Sequence, residues 1–170
     1  MYATIEAYFS NSDGEEKSAE FEIEVGTGCA LDEFHDQCAD FIESGEWELD
    51  NYDLVDCEGF EDDGDVCHQF KGVGFDLADF NEFAELCDNL GPAFELRYID
   101  LGGIDENQFR DSYNGAHDSV EKFAERLIND CYDIPDYLYH YIDWEKFGAD
   151  LMMDYSEYVD HVGQVHIFHD

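Results

Sequence analysis

His35 and Cys38 stand three residues apart, a spacing that lets one helical turn supply two metal ligands, and Cys67-His68 adds a second soft pair. Zinc frameworks carry two close-spaced pairs. Here only one pair has that spacing and no C-x-x-C occurs, so the simpler reading is a helix-surface histidine and a core cysteine. His166 and His169 fall on a predicted strand, where alternation sends them to opposite faces. The window Phe9–Glu20 places Asn11, Asp13, Gly14 and Glu20 at calcium-loop offsets, but Phe9 occupies the position of the first oxygen ligand. Gly72-Val73-Gly74 lacks the third glycine of a phosphate-cradling loop, and Lys71 precedes it. With six cysteines and seven histidines, chance Cys/His proximity identifies no nucleophile. Paired carboxylates can do acid–base work, yet in so acidic a chain their proximity says little. Neither an enzyme nor a cofactor or metal site is expected.

The carboxylates matter as a population. Forty-five Asp and Glu face seven Lys and Arg, giving a formal net charge of −38 over 170 residues. Segments with such charge are usually disordered. This chain is also 44% hydrophobic and 16% aromatic, enough for a core. A surface of one sign repels itself, so charge that is both costly and folded points to selection for its field. It argues against direct nucleic-acid binding, which needs a basic footprint, and against docking on anionic membranes. It favours basic partners. No signal peptide or membrane-length apolar run is read, so a cytoplasmic location is expected. There Cys29, Cys38, Cys57, Cys67, Cys87 and Cys131 should stay reduced, as small core hydrophobes.

Local patterning predicts the elements that carry these acids. Ala3, Ile5, Ala7 and Phe9 alternate, as do Ala19, Phe21, Ile23 and Val25 after a turn at Asn11–Gly14; a hairpin follows, with Glu20, Glu22 and Glu24 on its open face. A helix over 31–43 gathers Leu31, Phe34, Cys38, Phe41 and Ile42 on one side and Asp32, Asp36, Asp40 and Glu43 on the other. Residues 46–57 read as a strand returning to the hairpin, and Glu58–Asp65 as an acidic loop. A second helix starts after an Asp76 N-cap, buries Leu77, Phe80, Phe83, Ala84, Cys87 and Leu90, exposes Asp79, Glu82, Glu85 and Asp88, and stops at Gly91-Pro92. Helices follow over about 93–101, 105–113, from Ser119, from Pro135 and over 143–151, then a hairpin of 154–160 with 164–169. Segregated hairpins and helices imply an α+β fold. The expected modules are an acidic α+β module (1–60), a helical module (61–103) and an α+β module (104–170). Five of the seven bases lie from Arg97 onward, which suits self-association there.

B-form DNA carries one charge per about 1.7 Å of axis. At that density forty-five carboxylates cover about 76 Å, or roughly 22 base pairs. Acids at i and i+4 of a helix lie about 6 Å apart along its axis, comparable with successive phosphates. The charge thus fits a folded DNA mimic of elongated shape, with carboxylates in place of phosphates. Two alternatives stay open: an acidic binder or chaperone of basic DNA-binding proteins, and a halophilic acidic surface. A halophilic protein should unfold in low salt, whereas a mimic should bind best there.

The segment from Ile134 to Leu151 contains Pro135, Leu138, Tyr141, Ile142, Asp143, Trp144, Phe147, Asp150 and Leu151 in an order that resembles the ArdA antirestriction family. Its members carry Pro-x-x-Leu-x-x-Tyr-Ile-Asp-Tyr-x-x-Tyr/Phe-x-Arg-Asp-Leu near the C-terminus. Upstream, Gly115, Ser119, Phe123 and Ala124 resemble the family's Gly-x-x-x-Ser-x-x-x-Phe-Ala helix entry. Trp144 replaces the usual tyrosine and Ala149 the usual arginine. The resemblance implies a three-module homodimer that mimics bent B-form DNA. It also implies inhibition of Type I restriction–modification enzymes through the groove of their methyltransferase core. Under it, Tyr141, Ile142, Trp144, Phe147 and Leu151 support the fold or a dimer seam.

Overall fold

The computed structural model describes residues 1–42 and 46–170, so Glu43, predicted in the first acidic helical row, lies outside the described residues. The chain opens with β1 (Tyr2–Asn11) and β2 (Glu16–Glu24), an antiparallel hairpin. Its turn is closed by the Asn11 carboxamide, whose oxygen accepts from the backbone N–H of Asp13 and Glu15. Gly14 supplies the left-handed residue at φ 77° that side chains disfavour. After α1 (Ala30–Ile42), β3 (Trp47–Glu58) pairs with the other edge of β1, giving the sheet order β2-β1-β3. Register shifts between Thr4/Ile5 and Tyr8/Phe9 leave β3 with extra residues opposite β1.

Ala3, Ile5, Ala7 and Phe9 are buried, as the alternation requires. α1 covers this face through Phe34, whose ring meets Phe21 and Tyr52 at centroid distances of 6.1 and 5.0 Å. Phe34 and Cys38 are buried, but Leu31 and Phe41 stay partly exposed, and Ala30 takes an inner position instead. A three-stranded sheet is too narrow to cover the whole apolar stripe. Phe41 packs at its rim against Phe9, 5.2 Å away.

The acidic run expected as a loop holds a helix, α2 (Asp63–Phe70), packed on β3. The Asp62 side chain accepts from the Asp65 N–H, and the acids of the first turn complement the positive helix N-terminus. Cys67 and His68 lie on this helix. Next come α3 (Leu77–Leu90), with Asp76 accepting from Ala78 and Asp79 at its start, and α4 (Pro92–Leu101). Phe60, Phe70, Phe75, Phe80, Phe83 and Phe94 form one aromatic cluster. Buried Asn81 accepts from the Gly26 and Thr27 N–H groups, tying α3 to the β2–α1 connection. Buried Glu95 accepts from the N–H of Glu61 and Asp62 at 2.8 and 2.9 Å.

Contacts gather the chain into two compact units, Met1–Glu95 and Leu96–Asp170. The second contains α5 (Glu106–Ser112), β4 (Tyr113–His117), α6 (Val120–Cys131), α7 (Asp136–Tyr139), α8 (Trp144–Leu151), β5 (Tyr155–Val159) and β6 (Val165–His169). The predicted terminal hairpin is β5–β6, but β6 is also the centre of a three-stranded antiparallel sheet, β4-β6-β5. The sequence reading placed no strand at 113–117; there pairing with β6 overrides a local Asn-Gly turn signal. Phe109, Phe123, Ala124, Ile167 and Phe168 are the buried apolar residues of this unit. Buried His166 bridges Asp160 (3.1 Å) and the Tyr113 hydroxyl (2.9 Å).

The α+β class is as the sequence implied. The expectation that all six cysteines are core residues is corrected in part: Cys38, Cys57 and Cys87 are core residues, but Cys67 is only partly buried and Cys29 and Cys131 are exposed. Among the described residues, no helix is long and apolar enough to cross a membrane.

Candidate functional site

On the open face of the β2-β1-β3 sheet, backbone pairing orders carboxylates in rows and columns. Register places Glu24–Tyr2–Glu58, Glu22–Thr4–Asp56, Glu20–Glu6–Asp53, Ser18–Tyr8–Asn51 and Glu16–Ser10–Glu48 side by side across the three strands. Acids thus line both outer strands. Neighbours on one strand face are about 6.8 Å apart, and the outer strands are separated by about 9.5 Å, two strand spacings. The widths of the two DNA grooves, about 6 and 12 Å, bracket that separation.

The first seventy residues contain one base, Lys17, and it does not reach this face. Lys17 pairs with Phe9, on the core-facing side, and its ammonium lies 4.3 and 4.4 Å from the ring centroids of Phe41 and Trp47. Aromatic quadrupoles hold the cation there without consuming a carboxylate. Glu6 is half-buried and accepts from the Tyr8 hydroxyl at 2.8 Å; that bond, with burial and the Glu6 charge, raises the Tyr8 phenol above its ordinary value. Asp53 is tied down by the Gly72 N–H at 3.1 Å.

The predicted residues divide among distinct surfaces. Glu20, Glu22 and Glu24 are exposed on the open sheet face. Asp32, Asp36 and Asp40 are exposed on α1, which covers the other side of that sheet, so these two groups are not one row. Asp79, Glu82 and Asp88 are exposed on α3. Asp76 caps that helix, and half-buried Glu85 accepts from the Asn81 amide at 3.0 Å, so these two also have structural roles. The sequence reading missed the β3 column of Glu48, Asp53, Asp56 and Glu58, and Glu6 between the columns. Bulges break the alternation of β3, and only pairing to β1 shows which side chains share the face.

In the second unit four bases are paired within the chain: Arg97 with Asp170, Arg110 with Glu106, Lys122 with Glu125, and Arg126 with Asp130. Among the described residues, no ion pair neutralises Glu20, Glu22, Glu24, Asp32, Asp36, Asp40, Asp79, Glu82 or Asp88.

The motif residues form a helix–turn–helix edge. Pro135 precedes α7, and the Asp143 side chain accepts from the Lys146 N–H to start α8. Trp144 sits between Tyr139 and Phe147, at 5.2 and 6.3 Å between ring centroids. Ile142, Trp144, Phe147 and Leu151 are half-buried, whereas Leu138, Tyr141, Asp143 and Asp150 are exposed. Tyr141 is 86% exposed, so it does not pack in this chain's own core. Gly148 is buried where α8 meets α6; a Cβ there would lie 3.0 Å from Val120 Cγ1. Ala149, at the family's arginine position, is exposed.

Fold and surface together define an α+β protein that displays ordered, unneutralised carboxylates. The family model for the ArdA antirestriction protein matches residues 13–165, and the chain belongs to that family. Comparison with curated proteins and with solved structures gave no match.

Proposed function

We propose that this protein inhibits Type I restriction–modification enzymes by presenting carboxylates in place of DNA phosphates to the DNA-binding groove of their methyltransferase core. The observation that carries the proposal is the pair of carboxylate columns on the open sheet face, two strand spacings apart and without a base between them. Exposed acids of α1 and α3 extend the field of the same unit. Family membership supports antirestriction as the setting. Inhibition by occupancy needs neither a nucleophile nor a cofactor. Self-association into a homodimer would use the exposed Tyr137, Leu138 and Tyr141 beside α8.

Affinity built on exposed charges is screened by salt, since the Debye length shrinks to about 8 Å at physiological ionic strength. Binding to a Type I methyltransferase core should therefore weaken steadily from about 50 to about 200 mM salt, conditions over which phosphate contacts also weaken. A dissociation constant that does not move over this range, with the protein folded throughout, contradicts the proposal.

A further inference from the structure

Cys57 near the end of β3 and Cys67 in α2 are linked by reciprocal contacts. The Cys57 thiol donates to the Asp63 carbonyl at 3.3 Å, four residues before Cys67. The Cys67 thiol donates to the Val55 carbonyl at 3.6 Å, two residues before Cys57. Each sulfur thus reaches into the backbone beside the other cysteine. Both are free thiols, Cys57 buried and Cys67 partly accessible. We propose that Cys57 and Cys67 form a thiol-oxidation site, in which a low-molecular-weight disulfide reaches Cys67 and Cys57 then closes an intramolecular disulfide joining β3 to α2.

The chemistry balances in two exchanges. The Cys67 thiolate attacks one sulfur of the external disulfide, forming a mixed disulfide and expelling one thiolate. The Cys57 thiolate then attacks the Cys67 sulfur and expels the second. Two protons leave the protein, two electrons reach the external disulfide, and two small thiols are released. The order follows from exposure, because only Cys67 can meet a solute.

Burial sets the rate. It pushes the Cys57 thiol up to about 12, with the neighbouring Cys67 and nearby carboxylates adding to the shift. Burial also raises Cys67, against the opposing pull of the Lys71 ammonium. Few thiolates exist at neutral pH, so closure is slow, but the product is uncharged and burial does not penalise it. The site is then inert to brief oxidation and responds to sustained exposure. The bond would fix the acids of α2, Asp63 and Asp65, against the strand carrying Asp56 and Glu58. This inference does not depend on the antirestriction reading.

The test uses the folded full-length chain carrying C29S and C131S, which removes the exposed thiols. It is incubated with oxidised glutathione, quenched in acid, digested at acidic residues without reductant and mapped by mass spectrometry. The expected product is a Cys57–Cys67 cross-link with loss of two hydrogens per chain, its rate of formation rising with pH between pH 7 and 9 by up to about tenfold per unit. Adding C57S should halt the reaction at a glutathione adduct on Cys67. The proposal is overturned if the adduct on Cys67 persists while Cys57 stays reduced in the parent, or if the cross-link forms only in denaturant. It is equally overturned if Cys38 or Cys87 is cross-linked as readily as this pair.

Discussion

Replacing Glu20, Glu22 and Glu24 together with glutamine should weaken target binding without weakening the fold. All three side chains are exposed on the open sheet face, and none is in an ion pair among the described residues. Glu20 lies directly across from Glu6, which in turn faces Asp53, so the native row holds three like charges abreast. Like charges placed opposite one another in a sheet are destabilising by up to about 1 kcal/mol. Their removal should leave the Tm unchanged or raise it by up to about 3 °C for a chain of this size. Against a basic groove the sign reverses. An exposed ion pair contributes about 0.2–1 kcal/mol, so one substitution should cost about 1.4- to 5-fold in affinity and three together about 3- to 150-fold. Inhibition of a Type I methyltransferase would be titrated with wild type, each single variant and the triple variant, alongside thermal unfolding of each. Unchanged inhibition by the triple variant, together with a lower Tm, would refute the reasoning, because those carboxylates would then serve the fold.

Three further outcomes follow from individual contacts. Glu95→Gln leaves one of the Glu61 and Asp62 N–H groups facing an amide donor, and should destabilise unit 1 by about 1–3 kcal/mol in urea unfolding. Burial raises the Glu95 carboxyl from 4.5 despite those two backbone bonds, so the folded state binds its proton more tightly than the unfolded state. Stability from this group therefore falls as pH rises from 4.5 through the folded-state value, and the Gln variant should lose that slope. Asp160→Ala removes the acceptor of the Val162 and Gln164 N–H groups and of His166, and should cost about 3 kcal/mol. Burial opposes the charge of Asp160, but these bonds outweigh it and hold its carboxyl below 3.8, so its contribution is present above that pH and is lost in stronger acid. Gly148→Ala sets about 1–3 kcal/mol of overpacking against Val120 against about 1 kcal/mol of helix propensity gained in α8, so the net effect should be a loss of up to about 2 kcal/mol, and Val120→Ala in the same chain should recover part of that loss.

Much of the fold was legible because its signals are local. Alternation marked β1 and β2, Asp76 and Gly91 bounded α3, and Ser119 marked the start of α6. α2 escaped because Val66 is its one buried apolar residue and its first turn is acidic and contains a glycine. β4 escaped because the pairing that makes it a strand lies some fifty residues away in sequence. The candidate site divides the same way. The β2 column could be read from alternation alone. The β3 column could not, because Asp50 and Val55 sit at the bulges and shift the period on either side. Leu31 and Phe41 carry a related lesson: helical periodicity gives the apolar side, while the width of the partner sheet decides how much of it is covered.

The most direct measurement of the central claim is competition between the protein and a labelled DNA duplex for a purified Type I methyltransferase core, followed at low salt. The account predicts mutual exclusion: the duplex is released as the protein binds, and excess duplex restores the enzyme–DNA complex. A stable ternary complex of enzyme, duplex and protein would contradict it.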